Sequence, residues 1–242
     1  GFTLPHINTL RKKFSSVLAS PGLCPRLQDM IRLKSLTLKA HGKVVTLSLD
    51  GMIVKNSVVY RQHSDTFVGF EDCGALYQSD KVANQGVVFM VRGMSLRWKQ
   101  VIRYVAVHHN IKYDVLNALI HEAIQYVHEA GLTVKVIVMD QEATQWSWIK
   151  KSNVTIERPY IFTLSASVKA FVMADPPHLI KNLRNHMRTK NIACAIDGVA
   201  GVAKWKHLVK LYYVDSSNPI RAAPRLTSDH FSLPQNKVMK VS

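Results

Sequence analysis

Acidic residues are scarce in this sequence. Only 16 Asp and Glu stand against 32 Lys and Arg, a formal net charge of +16 over 242 residues. The simplest meaning of that excess is a polyanionic partner, because each phosphate contacted releases counterions and adds sequence-independent affinity. Cysteine is scarce too. Cys24, Cys73 and Cys194 lie far apart and form no Cys-x-x-Cys pair, which argues against a zinc site and for a reducing compartment. No apolar run is long enough to span a bilayer and no signal-peptide pattern opens the sequence, so no membrane partner is expected. There is no internal repeat and no low-complexity stretch. His121 and His128 stand seven residues apart on an expected helix, a spacing that suits no chelating pair.

What is present is enough apolar material to bury a core. Hydrophobic residues make up 47% of the chain, which excludes a disordered basic tail. Basic, amphipathic residues 10–19 predict a helix stopped by Ser20-Pro21-Gly22, and a second helix is expected over 25–36. Residues 43–49 then switch to a β-branched, apolar run that reads as a buried strand ending on Asp50-Gly51. Strands are expected at 57–61, 66–70, 86–91 and 101–107, forming an antiparallel meander. The clearest helix follows. Asp114 is placed to cap it, Val115, Leu116, Leu119, Ile120, Ala123, Ile124 and Val127 make one apolar face, and Gly131 closes it. A strand over 133–139 ends on Asp140, a short helix covers 144–150, and two strands near 160–164 and 169–174 lead to Asp175. Helices are expected at 179–188 and 205–213, and the chain beyond Asp215 is loop-rich.

Two of these strands end in an aspartate. A carboxylate at a strand's C-terminal end projects from the sheet edge, where α/β folds place their sites. If the two strands are neighbours, Asp50 and Asp140 face one crevice. Hard oxygen ligands of this kind favour Mg²⁺ or Mn²⁺, and paired ions about 3.5–4 Å apart suit phosphoryl transfer. The competing reading is that Asp-Gly forms a turn and Asp140 caps the next helix. Lys181, Arg184 and Arg188 share one helical face, either a solvated face or a contact for phosphates.

Several motifs resemble the P-element-type transposases, the family that includes THAP-domain transposases. They are Val88-Phe89-Met90-Val91-Arg92-Gly93-Met94 with Trp98-Lys99-Gln100, then Val138-Met139-Asp140-Gln141, then Asp175-Pro176-Pro177-His178-Leu179-Ile180-Lys181-Asn182-Leu183-Arg184-Asn185. Arg225-Leu226-Thr227, His230 and the run from Lys237 to Val241 also fit, as do Leu4-Pro5-His6 and Thr9-Leu10-Arg11 at the start. The resemblance implies an α/β, RNase H-like mixed sheet with flanking helices, interrupted by a mostly helical insertion that binds GTP. It divides the chain into a helical segment over 1–40, the first part of the catalytic domain over 41–176 and the start of the insertion over 177–242.

On this resemblance Asp50 and Asp140 are the first two members of a DDE-type acidic triad and ligands of Mg²⁺ or Mn²⁺. Arg225, Lys240 and Val241 fall where guanine-nucleotide contacts begin, although the family usually has Lys where Arg225 stands. Gly51 also departs from the pattern, since Glu often follows the first catalytic Asp. The implied function is metal-dependent DNA strand cleavage and strand transfer at transposon ends, in the nucleus, by a protein that acts as a homo-oligomer. The third acid is expected beyond Ser242, neither Glu142 nor Asp175 being suited to the part, and the family's zinc-coordinating DNA-binding domain has no counterpart here. Whether the protein is an enzyme therefore stays open. The alternative is a domesticated, non-catalytic DNA- and GTP-binding protein.

Overall fold

The computed structural model describes residues 5–9, 21–62, 65–140, 142–163 and 168–232. The helix expected over 10–19 lies outside the described residues. The chain divides into two compact units, Gly1–Asp175 and Pro176–Ser242.

The first unit is built on a mixed sheet. Its strands are β1 (Gly22–Leu23), β2 (Val44–Ile53), β5 (Phe70–Asp72), β6 (Gln78–Val82), β7 (Gln85–Gly93), β8 (Lys99–Val107), β9 (Thr133–Met139), β10 (Tyr160–Phe162) and β11 (Lys169–Ala174). They lie in the order β10-β11-β9-β2-β7-β8-β5-β6, and β1 also pairs with β8. β2, β9 and β11 run parallel, while β2, β7 and β8 form an antiparallel meander. Helix α1 (Pro25–Leu36), helix α2 (Tyr113–Glu129) and helix α3 (Ala143–Lys151) flank it.

Alternation decides which face of the sheet is covered. Val45, Leu47 and Leu49 of β2, Val87, Phe89 and Val91 of β7, and Ile137 and Met139 of β9 are buried. The i, i+3, i+4 spacing of Leu116, Leu119, Ile120, Ala123, Ile124 and Val127 gives α2 one apolar face, which joins the same core with Leu27, Ile31 and Trp148 of the other two helices. Each such side chain contributes about 1.5–3 kcal/mol on leaving water. Pro25 opens α1, where a missing N–H costs nothing. Tyr126 Oη donates to the Cys24 carbonyl at 2.6 Å and ties that helix start to α2. Gly131, at φ +81°, turns the chain after α2 into β9. Asp114 stands in the first turn of α2 rather than at its cap, which is Lys112 with no side-chain hydrogen bond.

The meander is less regular than expected. The strand expected over 66–70 is divided at Gly69, whose φ of +116° only glycine adopts without strain. β3 (Val59–Arg61) and β4 (Thr66–Val68) pair into a separate hairpin, and β5 alone rejoins the main sheet. The polar strand β6 had no hydrophobic signal to reveal it.

The second unit holds helix α4 (Pro176–Thr189), helix α5 (Trp205–Ser216), the short helix α6 (Asp229–Ser232) and a hairpin of β12 (Ile192–Ile196) and β13 (Val199–Ala203). The hairpin was not expected, although Asp197-Gly198 sits at its turn with φ +51° and +79°. The rings of Trp205, Tyr212 and Phe231 cluster at 5.2–5.6 Å. Asp215 accepts from the backbone N–H of Ala222 at 2.7 Å and from Arg221 Nε at 3.1 Å. Burial pushes its carboxyl up, but those donors outweigh burial and hold it below its ordinary value.

Candidate active site

The parallel strands bring the predicted aspartates to one end of the sheet. Leu49 of β2 lies opposite Met139 of β9, and Met139 lies opposite Ala174 of β11. Asp50, Asp140 and Asp175 each follow one residue later, on three strands spaced about 4.8 Å apart. Asp175 N donates to Met139 O at 2.7 Å, which carries the ladder to that point.

β2 does not stop at Asp50-Gly51 as the sequence predicts. It continues to Ile53, with Asp50 opposite Val88 and Gly51 opposite Val87. The turn reading of Asp-Gly is therefore wrong. Asp50 instead belongs to the alternate set of Thr46 and Ser48, on the sheet face away from the buried Val45, Leu47 and Leu49. It is exposed and has no hydrogen-bond or ion-pair partner among the described residues. Asp140 is half-buried, and its Oδ1 accepts the backbone N–H of Glu142 at 2.8 Å. That bond closes a turn just before α3, whose cap is Glu142 with no side-chain hydrogen bond, so Asp140 does not cap the helix as the competing sequence reading had it.

Glu142 lies close in sequence yet on the wrong side. A Cβ built on Gly51 would meet both Glu142 carboxylate oxygens at 3.1 Å and Gln85 Nε2 at 2.8 Å. Gly51 alternates with Asp50, so this carboxylate packs towards the helix-covered face. Gln85 Nε2 donates to it at 3.2 Å. A cleft of about 710 Å³ opens there, lined by Asn84, Gln85, His109 and Glu142 among others. His109 has φ +64°, and its backbone N–H donates to Asn84 Oδ1 at 2.7 Å. Among the described residues no three His, Cys, Asp or Glu side chains group closely enough to hold a metal. The hard carboxylates of Asp50 and Asp140 suit a divalent cation in kind, but as two ligands and not as a complete set.

The other predicted residues lie in the second unit. Lys181, Arg184 and Arg188 are half-buried on α4. Arg184 sits 6.0 Å from the Trp205 ring and donates to His230 O at 3.3 Å, so it helps join three helices. Burial, and then Arg188 beside it, lowers its pKa from the ordinary guanidinium value. Arg225 is exposed. Lys240 and Val241 lie outside the described residues.

Residues 19–153 match the family profile described as TNP-like, RNase H N-terminal domain. Over 99% of the chain the sequence is 23% identical to the DNA transposase THAP9 of Homo sapiens, covering 27% of that protein. Over 77% of the chain it is 26% identical to the Transposable element P transposase of Drosophila melanogaster, covering 22% of it. The chain thus spans about a quarter of the length of these curated relatives. A solved structure of the Drosophila P element transposase strand transfer complex superposes with a TM-score of 0.70 at 20% identity, covering 97% of this chain and 48% of that one.

Proposed function

From a chain that belongs to the TNP-like, RNase H N-terminal domain family, we propose that it is part of a DNA transposase that cleaves and joins DNA strands at transposon ends with Mg²⁺ or Mn²⁺. The observation that carries the reading is the register that sets Asp50 and Asp140 at one end of adjacent parallel strands. Asp50 offers an exposed carboxylate without a partner among the described residues, and Asp140 one braced by the Glu142 N–H.

In the first reaction a water oxygen attacks a phosphodiester phosphorus and the bond to the 3′ oxygen breaks, leaving a 3′-hydroxyl and a 5′-phosphate. In the second, that 3′-hydroxyl attacks a phosphodiester of target DNA and displaces its 3′ oxygen, so bonds are exchanged with no net hydrolysis. Asp50 and Asp140 would hold the cations. When bound, these lower the pKa of the attacking water and offset charge on the leaving oxygen. The basic excess of the chain, 32 Lys and Arg against 16 Asp and Glu, supports DNA as the partner.

GTP belongs to the same proposal. The exposed guanidinium of Arg225 suits a phosphate, with Lys240 and Val241 as further contacts outside the described residues. Lys181 and Arg188 would add phosphate contacts, and Arg184 would position α4 through Trp205 and His230. The proposal extends to a homo-oligomer that acts in the nucleus, where chromosomal DNA lies. Among the described residues no helix is long and apolar enough to cross a membrane.

Asp50→Ala and Asp140→Ala in the intact protein are expected to abolish Mg²⁺-dependent cleavage of transposon-end DNA and to leave DNA binding near normal. Cleavage retained in both variants would overturn the assignment. A second reading is a non-catalytic DNA- and nucleotide-binding protein, supported by the basic excess of the chain and the exposed Arg225. It predicts the opposite result: no cleavage by the unaltered protein, with DNA binding intact.

A further inference from the structure

Glu142 links the two aspartates without sharing their face. Its backbone N–H donates to Asp140 Oδ1 at 2.8 Å. Its carboxylate accepts from Nε2 of Gln85, the first residue of β7, at 3.2 Å. The same carboxylate lies against Gly51, the residue after Asp50, where a Cβ would meet both of its oxygens at 3.1 Å. A side chain at position 51 would also displace the Gln85 amide, which lies 2.8 Å from that Cβ. One residue thus holds Asp140 through its backbone and reaches the strand of Asp50 through its side chain, and glycine is what leaves it the room.

A small cavity lies on the same, helix-covered side. Gln85, Glu142, Thr144 and Gln145 are its polar walls, and Leu49 and Leu116 are among its apolar ones. It has about 10 Å³ of room, the size of one water molecule. Gln145 is 4% exposed, and its Oε1 has no hydrogen-bond partner among the described residues. A buried amide oxygen left in that state is rare in folded proteins.

The cavity is therefore bordered by two acceptors, the Gln145 amide oxygen and the Glu142 carboxylate. Neither can donate to the other. A water carries two O–H donors and can bridge them. A hard cation would ask for about six oxygen ligands, more than a cavity with apolar walls supplies. Gln145 lies in the first turn of α3. A shared water would tie that turn to the side chain that already reaches β7 and β2.

We propose that Glu142 is a positioning residue that sets the spacing of Asp140 from Asp50, its carboxylate fixed by Gln85 and by one buried water shared with Gln145. This role rests on the reading of Asp50 and Asp140 as cation ligands. It makes Glu142 the support of those ligands and not a third one.

The test uses the full 242-residue chain. Its crystal structure is expected to show one ordered water within hydrogen-bond distance of both Gln145 Oε1 and the Glu142 carboxylate. In EDTA, amide hydrogen exchange at position 142 reports the bond to Asp140. Glu142→Ala is expected to speed that exchange by about tenfold, corrected for the intrinsic rate, and Glu142→Gln by less than about threefold, because its amide oxygen still accepts from Gln85. Gly51→Ala keeps Glu142 but wedges its contact with Gln85, and is expected to speed the exchange as well. Mn²⁺ affinity, read from the electron paramagnetic resonance of the free ion, is expected to fall by about tenfold in Glu142→Ala and by less than about threefold in Glu142→Gln.

Equal losses of Mn²⁺ affinity in those two variants would make Glu142 a ligand and overturn the proposal. Exchange unchanged in both Glu142→Ala and Gly51→Ala would overturn it too, as would a cavity without ordered water. If Asp50→Asn and Asp140→Asn bind Mn²⁺ as well as the unaltered chain, the cation reading fails, and the exchange rates in EDTA still decide whether Glu142 holds Asp140 in place.

Discussion

Asp140 carries two jobs that one pair of substitutions separates. Its Oδ1 accepts the Glu142 N–H at 2.8 Å and so closes the turn just before α3. A hydrogen bond to a charged group contributes about 1.5–3 kcal/mol. Asp140 is half-buried, which discounts this to about 1–2 kcal/mol. For a chain of this size that is about 2–8 °C in Tm. Asp140→Ala should show that fall by differential scanning fluorimetry in EDTA. Asp140→Asn keeps an oxygen acceptor at the same place and should lose less than half as much.

Metal reverses the comparison. Titration of the unaltered chain with Mn²⁺ should raise Tm, by about 1.4 kcal/mol of stability at ten times the dissociation constant. Both Asp140 variants, and Asp50→Asn, should lose that rise, because an amide is a poor ligand for a hard cation. A rise that persists in Asp140→Asn and Asp50→Asn would refute the metal assignment. A loss in Asn as large as in Ala would refute the bracing argument.

Three other outcomes follow from buried groups. Arg103 is 2% exposed, donates to Leu119 O at 3.2 Å and pairs with the half-exposed Glu122 at 2.6 Å, so Glu122→Ala should cost about 2 kcal/mol in urea unfolding. His121 and His128 have pKa values lowered by burial, and His128 Nε2 accepts the Val134 N–H at 3.3 Å. Their contribution is present above the unfolded pKa of about 6.5 and is lost as pH falls through the lower folded values. Stability should therefore drop from pH 7.5 to pH 5.5, and drop less in His121→Gln/His128→Gln. Burial, and then Glu71 and Asp72, push the Cys73 thiol up from 9.0 to about 11. Iodoacetamide at pH 8 should spare it in the folded chain while it reacts with the half-buried Cys24 and Cys194, and stability should fall as pH rises from 9 towards 11.

The parts of the fold that sequence reveals are those whose residues bury one face. Strands β7 and β9 and helix α2 show strong periodicity because Phe89, Met139 and Leu119 must meet in one core. Polar strands and bends leave no such trace. β6, with the sequence Gln-Ser-Asp-Lys-Val, is held by pairing with β5. The break at Gly69 is a backbone event that alternation does not encode. At the site, Asp140 was visible as a strand-end residue and Asp50 was read as one although β2 runs on to Ile53, and their neighbourhood depended on β2 and β9 running parallel, which no local pattern specifies. Glu142 was set aside from its spacing alone, and the face on which Gly51 points agrees with that.

Charge bookkeeping sharpens what Asp50 can be. In a chain with twice as many basic as acidic residues, most carboxylates should find a donor. Glu122 has Arg103, Asp215 has Arg221, Glu71 accepts from Ser79 and the His108 N–H, and Glu142 accepts from Gln85. Asp50 has none among the described residues, and neither have Asp80, Asp114, Asp197 and Asp229; what sets Asp50 apart is the β2–β9 register that places it beside Asp140. Its lone pairs stay open there. Whether that open carboxylate holds a cation is what the Mn²⁺ titration of Asp50→Asn decides.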